Sequence, residues 1–521
     1  VEEGRAKAGF VAVLIAAALL LVAGAGSLPL LDPDESRFAR TSVEMLASQD
    51  LVVPRFEGQP RLVKPPLLHW IQMALFRLLG PTELAARLPA GFATLGSLAI
   101  VGWIARRRFG WEGALWGAAV MATMPLVVAC GRLGTIDALL SVHVLAVVAL
   151  DIAEPEEGGR SKALAIGFLL GLAFLAKGPV GVVLPVLMVL AGRTACGREI
   201  LPAWRELARG LAGWCVVVLP WGLAFLDRIG VAGTLALVRR ESLERFFSGG
   251  EHVEPPWFVL AVLVVGTWPW IGPVAIGIAR SALRRSDPAS RTAVYAGAAL
   301  LVGVLFFSIS RSKLASYVLP LAPFAVVVAV WELGQELAAP RERIASSFLL
   351  SLSLGAAALG LWFAPSFGGD SIGAGFTMFG GLALGAACAV GLLGLIARRP
   401  RWVWGAAAAA SAAFVVAALI FLVPDIARRR SAAYLIDELP GMRDPSRPVV
   451  TVAMKVPSLT FYLGRPCEEV PLEHLATRID REDSPWYVLD LRDLERADRA
   501  TLERLVEARR LGKYVVLEER S

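Results

Sequence analysis

Polar residues along this chain come in clumps, separated by apolar runs of about 20 residues, the length of helix that crosses a hydrocarbon core of roughly 30 Å. Read this way, the pattern predicts about thirteen membrane spans, near 10–30, 84–105, 112–131, 135–153, 163–176, 178–193, 206–226, 256–279, 291–310, 313–334, 345–364, 376–397 and 401–423. The pair flanking Lys177 is short and reads equally well as one broken hairpin. The first run, Phe10 to Leu30, is long and leads directly into an acidic stretch, and is expected to stay in the membrane as an anchor. Two segments interrupt the pattern. Residues 32–83 form one long loop, and after residue 424 the chain turns polar. In that tail "RPVVTVAM", "SPWYVLDL" and "GKYVVLEE" read as strands, "PSLTFYLG" and "DRATLERLVEARRLG" as helices. The expected architecture is therefore an α-helical polytopic membrane domain over 1–424, followed by a small soluble α/β domain over 425–521.

Composition agrees with a bilayer as solvent. Hydrophobic residues make up 56% of the chain and charged residues 19%, against about 25% charged in soluble domains. The five cysteines form neither a CxxC nor an even framework, so no disulfide scaffold or zinc site is implied. The net charge of +7 does not call for nucleic acid, because Lys and Arg gather in alternate loops: 106–108, 192–205, 280–291 and 398–401. That is the positive-inside bias of cytoplasmic loops. Opposite loops such as 365–375 carry neither residue. With the N-terminus inside and an odd span count, the tail lies outside. Asp34, Lys64, Arg132, Lys177, Arg239, His252 and Lys313 then fall on the outer face or its boundary. Ionisable groups near hydrocarbon are expensive, which makes the set a candidate site. The plainer alternative for each is a span-end anchor.

The loop opens "LPLLDPDESRFAR", with three carboxylates, Asp32, Asp34 and Glu35, followed by Arg37 and Arg40. Asp32 suits a helix N-cap, Pro33 the first helical position, and Glu35 the far corner of a capping box. Asp34 is not needed for that cap, and helical spacing puts it on one face with Arg37 and Thr41. Further on, Leu67, Leu68, Trp70, Ile71, Ala74, Leu75 and Leu78 make an amphipathic stretch suited to a helix lying in the interface. Lys64 precedes it. Pro65 and Pro66 hold the entry extended and present this ammonium at the height of a phosphate headgroup.

These residues carry a resemblance. "PDESRFARTSVEMLASQDLVVPRFEGQPRLVKPPLLHW" resembles the first periplasmic loop of bacterial GT-C membrane glycosyltransferases, in particular the lipid A aminoarabinose transferase family, akin to protein O-mannosyltransferases. "GRLGTIDALLS", "GLAFLAKGPVGVVLP", "RFFSGGEHVEPPWFVLAVLVVGTWPW" and "SISRSKLASYVLPLAPF" extend it in order through most of the first 330 residues. The resemblance implies a sugar, pentose or hexose, moved with inversion from a polyprenyl-phosphate carrier to a lipid A-like or other glycan acceptor. The implied setting is the periplasmic face of the bacterial inner membrane, with membrane lipids as partners. It carries over Asp34 as the catalytic aspartate and Asp137 as the second. Lys64, Arg37, Lys177 and Tyr317 become groups for the carrier phosphate, with Arg132 or Lys313 as further cations. A buried Lys177 also requires a phosphate or carboxylate beside it.

Two departures matter. Val63 stands where the family has a glutamate that can share a metal ion with a histidine, and His252 matches that histidine. Phe38 stands where relatives often have tyrosine. Glu35 and His252 remain candidates for an acceptor or a divalent ion, but no tight metal site is implied. Two other readings use the same residues: a protein O-mannosyltransferase, and a transporter or flippase. The second lacks the repeated halves such proteins tend to show.

Overall fold

The computed structural model describes residues 2–153, 159–244, 252–340, 343–363, 374–479, 481 and 483–520. Most of the 365–375 loop and residues 245–251 of the "RFFSGGEHVEPPW" motif lie outside the described residues.

Among the described residues, eight helices are long and apolar enough to cross a membrane: Glu2–Val22, Glu83–Ala122, Trp204–Glu241, Pro288–Ile309, Ala315–Ala338, Ala345–Phe363, Phe376–Ile396 and Pro400–Arg430. The pair Phe258–Gly266 and Ile271–Leu283, bent by 110°, makes nine if counted as one span. The chain is a multi-pass membrane protein. The count is lower than the thirteen expected from hydropathy, for visible reasons. The span expected at 84–105 is the first part of Glu83–Ala122, whose backbone breaks at Gly110 as expected, and the one expected at 112–131 is divided between its second part and the seven-residue Pro125–Gly131. Asp137–Ile152 and Val180–Ala195 have only 16 residues each.

The chain gathers into two compact units: 1–23, 62–68 and 88–421; and 24–61, 69–87 and 422–521. The segment after Phe421 falls with most of the first loop in the second unit.

In the first unit, Gly159–Lys177 packs along Trp204–Val238, and Arg291–Ile309 along Val180–Ala195. Ala322–Ala338 is buried on nearly every side, as a helix that is apolar all round should be. Its two acidic residues are answered inside the bundle. Glu332 pairs with Arg280, and Glu336 accepts from the Ser346 and Ser347 amides, each at 3.0 Å, and from Trp404 Nε1 at 3.1 Å.

The second unit is built on a five-stranded sheet in the order Glu468–Val470, Val449–Val452, Trp486–Asp490, Tyr514–Glu519, Leu505–Leu511. The first three strands run parallel and the last two add antiparallel. Side chains alternate across the sheet with period two. Trp486, Val488, Tyr514 and Val516 pack on one face with Leu435, Ile436 and Leu459. Tyr487, Leu489, Val515 and Leu517 pack on the other with Leu475 and Ile479. One expected helix is overturned. Only Arg499–Leu502 of "DRATLERLVEARRLG" is helical, and Leu505–Leu511 is a strand. A two-residue turn at Gly512-Lys513 pairs Leu511 with Tyr514, and the ladder overrides a helix-favouring composition.

The same unit fixes the loop by a saturated arginine. Arg87 donates from Nε and Nη2 to Glu35 at 2.7 and 2.8 Å, and to the carbonyls of Ala25, Leu28 and Pro29 at 2.5, 2.7 and 2.9 Å. Glu35 also accepts from the Leu31 amide at 2.9 Å. Below it, His69 is buried with Nδ1 2.7 Å from Ser42 Oγ, and Gln72 donates to the Ala86 carbonyl at 2.9 Å.

Arg87→Met should strand Glu35 as a buried charge and cost about 3–5 kcal/mol. Thermal unfolding in detergent reads the loss, and limited proteolysis should newly cut within 24–35. A second expectation concerns acid. Burial, and then the nearby Arg61 cation, push His69 down to about 3 from an ordinary 6.5. The unfolded chain therefore binds a proton that the folded chain does not, so this stability is present above about pH 6.5 and is lost as pH falls toward 3. Unfolding midpoints measured against pH should show that slope, and His69→Gln should flatten it.

Candidate functional site

The three carboxylates of the loop turn out to have three different fates. Asp32, at 7% exposure, precedes the helix Asp34–Ser48 and does not cap it; the N-cap is Pro33, without a side-chain bond. The expected capping box does not form. Asp32 instead turns away from the helix start. Its Oδ1 accepts from Ser36 Oγ at 2.6 Å and the Ser458 amide at 2.8 Å, and its Oδ2 from Ser458 Oγ and, at 2.9 Å, Tyr514 Oη. Burial pushes its carboxyl above the ordinary value, and these four bonds oppose that shift. Glu35, at 2% exposure, has both oxygens on Arg87. It is thus engaged in the fold at the place where an acceptor or metal role was considered.

Asp34 is different. Its side chain is 49% exposed at the first turn of the helix, with Arg37 Nη1 a loose 3.9 Å away. A half-exposed carboxylate held between two locked neighbours is able to accept a proton or orient a hydroxyl.

In the membrane unit, Lys177 ends the helix Gly159–Lys177 and Gly178 turns the chain at φ 70, a left-handed conformation that only glycine adopts without strain. The returning helix Val180–Ala195 lies so close that a Cβ at Gly181 would sit 2.1 Å from the Ala173 carbonyl. This corner aims the Lys177 ammonium inward. Its Nζ donates to Asp137 Oδ1 at 2.5 Å, both side chains being under 10% exposed, and lies 3.8 Å from the centroid of the Tyr317 ring. The partner that a buried lysine requires is therefore the Asp137 carboxylate, with a cation–π contact in addition. Pro65, next to Lys64, stands 4.0 Å from where a Cβ would lie on Gly178. Lys64, Lys177, Asp137 and Tyr317 thus belong to one part of this unit.

The remaining candidates serve local structure. Arg132 donates to the carbonyls of Leu20 and Ala23. Lys313 donates to the Glu254 carbonyl at 2.7 Å, and its amide donates to the carbonyl of His252 at 3.0 Å. Exposed His252 sits at φ 63 in this short backbone pairing. Arg239 is an exposed partner of Glu244 at 3.0 Å. Among the described residues, no three of His, Cys, Asp and Glu gather in a way that could hold a metal ion. Val63 supplies no ligand, and Glu35 is spoken for.

Sequence reasoning passed over Arg87, Ser458 and Tyr514. Arg87 carried a signal, an arginine entering an apolar run with no opposite charge assigned to it; the other two carried none.

Removing either member of the Lys177–Asp137 pair should cost about 3–5 kcal/mol, because the other is left buried and unpaired. Lys177→Met with Asp137→Asn together should be less damaging than the two single losses added. A double-mutant cycle on thermal unfolding measures this coupling.

Comparison with known proteins gives this arrangement its context. Residues 63–228 match the family model described as dolichyl-phosphate-mannose-protein mannosyltransferase. The undecaprenyl phosphate-alpha-4-amino-4-deoxy-L-arabinose arabinosyl transferase of Edwardsiella ictaluri is 30% identical over 398 residues, 73% of this chain and 70% of that protein. A protein of the same name from Pectobacterium carotovorum subsp. carotovorum is 31% identical, over 69% of this chain and 66% of its own. In three dimensions the fold matches ArnT from Cupriavidus metallidurans, crystallised with undecaprenyl phosphate, at a TM-score of 0.79 across 98% of both chains and 22% identity. With that identity across most of both sequences, the chain belongs to the family of undecaprenyl phosphate-aminoarabinose arabinosyl transferases, which are membrane glycosyltransferases.

Proposed function

We propose that this protein moves a sugar, a pentose or hexose, from a polyprenyl-phosphate carrier to a lipid A-like or other glycan acceptor at the periplasmic face of the bacterial inner membrane. The observation that carries the reading is the ammonium of Lys177, held among apolar helices by Asp137 and the Tyr317 ring. A carrier of this kind is a long hydrocarbon with a phosphate at headgroup height. Its recognition needs cations at that depth beside apolar helices.

In the reaction the acceptor oxygen attacks the anomeric carbon opposite the carrier. The new C–O bond forms as the bond from that carbon to the phosphate oxygen breaks, and the electron pair leaves with the polyprenyl phosphate. The leaving phosphate gains charge, so cations already in place stabilise the transition state more than the bound donor. Lys64, Lys177 and Tyr317 take this part, with Arg37 as a further cation. A hydroxyl acceptor passes its proton to Asp34 as general base; an anionic phosphate acceptor needs none, and Asp34 then orients it. The match over 63–228 favours one second reading, transfer to protein Ser or Thr, which changes the acceptor and keeps the donor chemistry.

The test is transfer by the purified full chain from a radiolabelled polyprenyl-phosphate sugar, offered lipid A and Ser/Thr peptides in parallel. Asp34→Asn should lower transfer to a hydroxyl acceptor by about 10²-fold or more. Lys64→Ala should mainly raise the donor KM. Full activity in the first variant removes Asp34 from the chemistry, and label on the peptides alone selects the second reading.

A further inference from the structure

Asp34 is exposed, yet the residues around it are held by groups far along the chain. Two residues before it, Asp32 takes all four of its side-chain hydrogen bonds from Ser36, Ser458 and Tyr514. Its own amide donates to the Arg430 carbonyl at 2.8 Å. One residue after Asp34, Glu35 is clamped by Arg87. The helix Asp34–Ser48 packs against the tail helix Pro457–Leu463, which carries Ser458 at its start. Tyr462 of that helix accepts from the Leu30 amide at 2.8 Å and donates to Glu83 at 2.9 Å. Lys455, just before it, reaches Glu57 of the loop at 3.5 Å. The tail does more than cover the loop. Its hydroxyls decide where the first turn of the loop helix begins.

We propose that Ser458 and Tyr514 are positioning residues for the transfer reaction, acting through the buried Asp32 carboxylate to set the place of Asp34. This rests on the reading of Asp34 as the group that meets the acceptor. The sequence alone would give Asp32 a capping role, but no capping bond forms at this helix start. Asp32 is buried for a different purpose. A carboxylate removed from water is costly unless each lone pair is answered, and here three of the four answers come from the tail. Loosening any of them frees the Asp32-Pro33 step and so the first turn carrying Asp34. Catalytic groups must be held within fractions of an ångström, and a displacement near 1 Å can cost on the order of 10²-fold.

The experiment uses the full-length protein in detergent or nanodiscs with the labelled carrier sugar and a hydroxyl acceptor. Tyr514→Phe and Ser458→Ala should each lower kcat about 10- to 100-fold, with donor KM within about twofold because no cation for the phosphate has changed. Ser458→Thr, which keeps the hydroxyl and the amide, should restore most of the rate. In an Asp34→Asn background the same substitutions should lower the residual rate no further, since they act through the group already removed. The inference is overturned if Tyr514→Phe and Ser458→Ala keep full kcat while Asp34→Asn is inactive. It is overturned equally if their losses multiply with that of Asp34→Asn, which marks general weakening of the fold. If Asp34→Asn itself transfers at the full rate, the reading of Asp34 fails, whatever the tail variants do. Should Ser458→Ala fail to fold, Tyr514→Phe, which deletes one hydroxyl from a packed ring, carries the same decision.

Discussion

A charge taken out of water must be answered by an opposite charge or by hydrogen bonds, and the arrangement of this protein follows from how few ways there are to do so. Arg87, at the start of a long apolar helix, has its donors distributed over Glu35 and three carbonyls of the segment 25–29. Lys177 is answered by Asp137 and by the Tyr317 ring. Asp32 is answered by hydroxyls and an amide. Each solution fixes a stretch of backbone that would otherwise be free to wander.

The acidic run of the first loop shows how one composition divides its labour. Three neighbouring carboxylates look interchangeable in a sequence. Two are turned inward and consumed by the fold, and the third remains accessible. The two locked neighbours pin the backbone on both sides of the third, so that Asp34 is exposed on a fixed first turn. The same logic holds at Lys177, where a glycine turn and a close helix pair decide the direction of one side chain.

How much of this was legible in the sequence depended on distance along the chain. Apolar runs and alternate basic loops announced the multi-pass architecture, and period-two alternation announced three of the tail strands. Helices shorter than a full span were not legible, since hydropathy records composition and not helix length; the break at Gly110 falls where the arginines at 106–108 divide two apolar runs. Leu505–Leu511 read as a helix because its strand character comes from a partner across a turn. Asp34, Lys64, Asp137 and Lys177 could be singled out as charges in costly places. Asp32 was misassigned, because its short-range option, a helix cap, is visible locally, whereas its partners stand 426 and 482 positions later.

That separation has a consequence for biosynthesis. A ribosome delivers the first loop long before the tail, so the membrane helices can be inserted while Asp32 still lacks the hydroxyls that will bury it. Contacts of such sequence separation form late, after the local ones. A nascent or truncated chain that stops before Ser458 would have its spans in the bilayer and an unfinished loop. Only a chain that has reached Ser458 and Tyr514 can close the hydrogen bonds around Asp32 and pin the first turn beside it.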